Sequence, residues 1–116
     1  MKLKNIEVDF SFTNTANLRK LQEAYKKVLE KDESNKKKTL DFIQQIDEEC
    51  NIAREFFNEV FGDGIDKKIF GNENDYEIIM DTLESVMQEY EKQHGRIKEK
   101  YAKYSPNRAK RRAKND

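Results

Sequence analysis

The sequence predicts a mainly α-helical protein: a small bundle of three main helices, the last of them long, with one short N-terminal β-strand. Three observations carry this reading. Apolar residues recur at 3-4 spacing over three long stretches, strict alternation occurs once, near the start, and the single proline, Pro106, lies beyond all of these stretches. The composition is 40% charged and 35% hydrophobic with no Trp, too polar for a wide core but too rich in Phe, Tyr, Ile and Leu for a fully disordered chain. With 116 residues, one modest domain is expected, over residues 1–103, followed by a basic tail at 104–116.

The strand is expected at residues 5–12, where Ile6, Val8, Phe10 and Phe12 alternate with Glu7, Asp9 and Ser11. A lone strand leaves its backbone groups unpaired, so it needs a partner from the first residues, from the glycine-bounded loop or from another chain. The other reading is an extended arm that packs its Phe side chains on the helices. Val8, Phe10 and Phe12 are accordingly candidates for self-association.

The first helix is expected at about residues 15–31, opened by a Thr and Asn cluster that offers N-caps and carried by Leu18, Leu21, Tyr25, Val28 and Leu29. "KDESNKKK" reads as a polar turn. The second helix, about residues 38–61, has the strongest pattern: Ile43, Ile46, Cys50, Ala53, Phe57 and Val60, widened by Phe42, Ile52, Phe56 and Phe61. So broad a stripe needs neighbours on more than one side, in a bundle or at an interface.

"FGDGIDKKIFGN" then breaks the period with Gly62, Gly64 and Gly71 around an amphipathic turn presenting Ile65, Ile69 and Phe70. It lacks the spacing and the Lys-Ser/Thr pair of a phosphate-binding loop. The third helix, about residues 74–103, carries Tyr76, Ile79, Leu83, Met87, Tyr90, His94, Ile97 and Tyr101. About thirty residues at roughly 1.5 Å each make a rod of about 45 Å, which outruns the other helices. Beyond Met87 its apolar seam is thin, so this half is expected to project and pack on another chain through Tyr90, Ile97 and Tyr101.

The residue inventory offers little chemistry. His94 is the only histidine and lies on the third helix's seam; Cys50 is the only cysteine and falls within an apolar stripe, where a small inert thiol is common. The carboxylates Asp47, Glu48 and Glu49 are consecutive and so point in different directions. No metal, nucleotide or hydrolase motif is present, and no catalytic, cofactor or metal residue is assigned. No apolar run approaches the roughly 20 residues of a membrane span, and the first residues lack the continuous apolar stretch of a signal peptide, so a soluble protein made in the cytoplasm is expected.

The charge distribution is uneven. The last nine residues hold Arg108, Lys110, Arg111, Arg112 and Lys114 against Asp116, in a chain whose formal net charge is zero. A basic end on an acidic body points to docking onto something acidic. One reading is a small nucleic-acid-binding or regulatory protein acting through this tail; another is a protein that occupies the surface of a host defence factor.

"VDFSF" at the start, "FFNEVFGDGIDKKIFG" in the middle and "YSPNRAKRR" at the end together resemble the tail assembly chaperones of tailed phages and prophages of Gram-positive bacteria. The resemblance implies a non-enzymatic protein of the host bacterial cytoplasm that coats the helical tape measure protein and yields to tail-tube subunits. Tape measure protein and tail-tube protein would be its partners, and a homo-oligomer its working form. Phe56, Phe57, Phe61 and Phe70 are then the candidates for a groove that takes an amphipathic helix.

Overall fold

The computed structural model describes residues 1–104, and the chain is mainly helical. A two-stranded antiparallel hairpin, β1 (Lys2–Leu3) and β2 (Ile6–Glu7), precedes four helices: α1 (Thr15–Lys36), α2 (Phe42–Phe61), α3 (Ile65–Phe70) and α4 (Tyr76–Tyr104). Among the described residues no helix is long and apolar enough to cross a membrane.

The expected strand at 5–12 divides in two. Its first part pairs with the residues just before it, in the register Lys2 with Glu7 and Leu3 with Ile6. Lys4 takes a left-handed conformation (φ 59°) in the tight turn between them. Val8 still exchanges backbone hydrogen bonds with Met1, its N–H to Met1 O at 2.8 Å and the Met1 amine to Val8 O at 3.1 Å, and beyond it the chain runs as an arm that buries Phe12, with Val8, against the helices. Beyond the hairpin, packing of the alternate residues on the helices satisfies the period-two pattern.

Each main helix starts where a side chain can take over its free N–H groups. Asn14 Oδ1 accepts from the amides of Ala16 (2.9 Å) and Asn17 (3.2 Å). Asp41 and Gln44 form a reciprocal capping box, Gln44 N–H to Asp41 Oδ1 at 2.7 Å and Asp41 N–H to Gln44 Oε1 at 3.1 Å. Asp75 Oδ1 accepts from Ile78 N–H at 3.2 Å and opens α4. Gly62 (φ 123°) and Gly71 (φ 72°) stop α2 and α3 in conformations that other residues rarely adopt.

Two boundaries differ from expectation for one reason. The segment expected as a polar turn continues α1 to Lys36, because Lys, Asp and Glu are compatible with a helix and Lys31 pairs with Glu55 across to α2. The capping box then fixes the start of α2 at Phe42 instead of about residue 38. The glycine-bounded turn is itself a short helix, α3, which among the described residues joins the three expected main helices as a minor fourth.

α2 is the central element. The pairs Lys27–Glu59 and Lys31–Glu55 set α1 antiparallel to it. α4 runs in the same direction as α2: Ile79 packs with Cys50 and Ala53, while Val86 joins the cluster of Phe56, Phe57 and Val60 further along. The hairpin and arm close that end of the bundle, with Leu3, Val8 and Phe12 in the same cluster as Leu21 and Ala24 of α1.

Candidate functional site

The Phe-rich stripe forms the interior of the monomer. Phe56 and Phe57 are fully buried, and the Phe57 ring lies 5.8 Å from Phe56, 6.1 Å from Phe61 and 5.3 Å from Phe70. Phe10 packs edge-on against both Phe12 and Phe61, at 5.0 Å in each case. The expected groove of Phe56, Phe57, Phe61 and Phe70 is therefore filled by the chain's own arm and helices, and only Phe61 and Phe70 keep partial exposure. The arm candidates follow suit: Val8 and Phe12 are core, and Phe10 is half-buried beside them. Sequence alone weighs core and interface equally here, since both demand the same apolar stripe.

The long helix matches its expected form. Tyr90 is the last residue of α4 that packs on the core. The helix continues for fourteen residues beyond it, to Tyr104. On this arm Ile97 is half-exposed, Tyr101 is 67% exposed and Tyr104 77% exposed. His94 is exposed, with its ring 5.8 Å from that of Tyr90. The basic-tail residues Arg108, Lys110, Arg111, Arg112 and Lys114 lie outside the described residues.

An apolar surface, formed where the α2 stripe expected in a bundle or at an interface begins, lies at the opposite end. Phe42 is 75% exposed and Ile43 73% exposed, although both continue the stripe that is buried from Cys50 onward. Ile46, one turn further on, is half-buried against Cys50 and Ile79. Tyr76 and Ile78 in the first turn of α4 are exposed as well. The signal for this was present: Asp41-x-x-Gln44 is a capping pattern, and it puts Phe42 and Ile43 in the first helical turn, ahead of the level at which α4 begins.

A buried polar knot holds α2, α3 and the start of α4 together. Arg54, on the buried side of α2, donates from Nε to Asn74 Oδ1 (2.7 Å), from Nη1 to Asp66 Oδ2 (3.1 Å) and Gly71 O (2.9 Å), and from Nη2 to Glu73 O (2.6 Å). Its guanidinium also stacks over the Phe70 ring at 5.6 Å. Asn74 in turn donates to Asp47 and Asn51 of α2, both at 3.2 Å. Burial pushes the Asp66 carboxyl up, but hydrogen bonds from Asn58, Arg54 and the Lys67 amide, with the Arg54 charge, outweigh it and hold the carboxyl below its ordinary value.

These partners take four of the five N–H groups of Arg54, so the knot is a structural clasp. The sequence hinted at it only as a cation inside an apolar stripe. Cys50 is fully buried, and burial foremost, with the Asp47 charge next, pushes its thiol above the usual range. Among the described residues no group of three or more His, Cys, Asp or Glu side chains is placed to hold a metal ion.

Comparisons with curated proteins and with solved structures give no match. A family model described as a family of unknown function, DUF6673, matches residues 4–115. With nearly its whole length covered, the chain belongs to the DUF6673 family.

Proposed function

We propose that this chain is a non-enzymatic binding protein that shields an apolar helical partner, and that it works as a phage tail assembly chaperone on the tape measure protein. The observation that supports this most is the exposed start of α2. Phe42 and Ile43 stand out in a chain that is 40% charged, and they prolong the core stripe into solvent. An amphipathic helix laid against Phe42, Ile43, Tyr76 and Ile78 would extend the bundle's own packing by one more element. The resemblance at both ends and in the middle of the sequence names the partner. Phe56 and Phe57 keep the body folded in this reading, and the contact surface moves to the first turns of α2 and α4.

The test is co-expression of the tagged chain with the tape measure protein of the phage or prophage that carries its gene, followed by nuclease treatment and purification through high salt. An apolar contact keeps the two together as salt rises. The charge of α4 supports a second reading, binding to nucleic acid, in which retention falls steeply with salt in proportion to the phosphates neutralised.

A further inference from the structure

The two ends of the molecule are chemically complementary. Residues 1–90 carry 13 Lys and Arg against 20 Asp and Glu, and residues 91–116 carry 10 against 3, so a net of −7 faces a net of +7. The described part of the basic end is the arm of α4 beyond Tyr90, with five cations, two carboxylates and the exposed rings of Tyr101 and Tyr104.

At the other end, where the last turns of α1 meet the first turns of α2, lies a cleft of about 660 Å³. Leu29 and Leu40 form its apolar lining, and Asp32, Glu33, Glu48 and Glu49 its carboxylates. Lys36 and Lys38 also line it, and Lys36 is held by Glu33 at 3.2 Å, which leaves the acidic groups in excess. Among the described residues the Asp32 Oδ1 atom is buried without a hydrogen-bond partner, and such an atom costs free energy until a donor reaches it. Burial foremost, and the neighbouring Asp32 charge, push the Glu49 carboxyl up from its ordinary value.

We propose that this cleft receives the cationic, tyrosine-bearing end of α4 from a second copy of the chain, with Lys100 and Lys103 on the Asp32, Glu48 and Glu49 carboxylates and Tyr101 or Tyr104 against Leu29 and Leu40. The arm cannot reach its own cleft. α4 runs along α2 and away from the α1–α2 junction as a continuous helix in a molecule 61 Å long. The contact therefore joins unlike surfaces of two copies. A head-to-tail contact of this kind propagates into open chains or rings instead of stopping at a two-fold dimer. It is independent of the tape measure reading, because it uses only surfaces of this chain.

The test uses two charge variants of the full chain, freed of nucleic acid: Lys100→Gln/Lys103→Gln, with a disabled arm, and Glu48→Lys/Glu49→Lys, with a disabled cleft. Circular dichroism melting first establishes that both fold. In sedimentation velocity at low salt the wild type is expected to grow with concentration beyond a dimer, and each variant alone to remain monomeric. An equimolar mixture of the two is expected to form a capped 1:1 dimer, because one supplies an intact cleft and the other an intact arm. A second mixture tests the cleft lining, with Leu29→Asp added to the arm-disabled partner; loss of the dimer is expected. A wild type that stays monomeric up to about 0.5 mM, hundreds of times above a Kd of about 1 μM, overturns the proposal. So does a wild type that stops at a dimer with both variants dimeric, or a mixture of variants that does not associate.

Discussion

Arg54 Nη1 lies 3.1 Å from Asp66 Oδ2, and both residues are about nine-tenths buried, whereas every other ion pair among the described residues has at least one exposed partner. Desolvating both charges is costly. Here the cost is offset by the bonds of the same guanidinium to Gly71 O, Glu73 O and Asn74, which also fix where α4 begins. The direction of α4, and with it the position of the projecting arm, depends on this clasp.

Removing one partner of the clasp is expected to be severe. Arg54→Met leaves Asp66 buried with its charge unpaired, and it should lower stability by about 3 kcal/mol or more. Asp66→Asn should cost less, since three of the four bonds of Arg54 remain. Because the folded Asp66 carboxyl lies below its ordinary value, its contribution is complete above that value and is lost as pH falls through the folded one. Urea melts of wild type and Asp66→Asn should therefore differ most at neutral pH and converge toward pH 2; a constant difference would show that the carboxylate charge is not involved.

Glu49 has the opposite sign. Its folded carboxyl is raised by burial first and by Asp32 second, so ionising it opposes folding, and its contribution is lost as pH rises through the raised value. Glu49→Gln should raise Tm at pH 7, with the gain shrinking as pH approaches 4. Thermal melts at both pH values check this, and an equal gain at both would count against it.

Phe57 and Phe42 separate core from surface. Phe57→Ala empties a fully buried ring position and should cost about 3–5 kcal/mol, enough to unfold much of the protein. Phe42→Ser changes a ring that is 75% exposed and should move stability by less than about 0.5 kcal/mol. Equal losses in chemical denaturation would mean that Phe42 is covered in the free protein.

Gly95 sits within α4, where an added Cβ meets nothing within 4 Å. Gly95→Ala should stiffen the arm by up to about 1 kcal/mol and raise helical ellipticity. Slower amide exchange from residue 91 to 104 would locate the effect. Unchanged exchange in that segment would contradict it.

Cys50 should resist alkylation in the native state and react fully in denaturant, since its buried thiol has a raised pKa. Mass spectrometry after iodoacetamide treatment distinguishes the two. Native labelling at a rate near that of a free thiol would place Cys50 at the surface.

Much of this architecture was legible in the sequence. The 3-4 spacing of Ile79, Leu83 and Val60 with Phe57 gives helices, and thinning of the α4 seam beyond Met87 gives the projecting arm, because periodicity records which face is buried. What periodicity does not record is which buried face belongs to the same chain. Phe56 and Phe57 read equally well as core or groove until the arm of Val8, Phe10 and Phe12 is seen to cover them. The Arg54 clasp was hidden for another reason: three of its acceptors belong to a loop seventeen to twenty residues away, brought close only by the turn at α3. The sequence does not separate the surface at Phe42 and Ile43 from the core stripe because helix boundaries, not composition, decide that the stripe starts before its cover does.

The most direct test of the proposed function is the solubility of the tape measure protein when co-expressed with wild type or with Phe42→Ser/Ile43→Ser, the double variant first shown to melt like wild type. The account predicts that wild type holds the tape measure protein in the soluble fraction through high salt and that the double variant leaves it aggregated. A tape measure protein that is equally insoluble with both, or equally soluble with both, would contradict it.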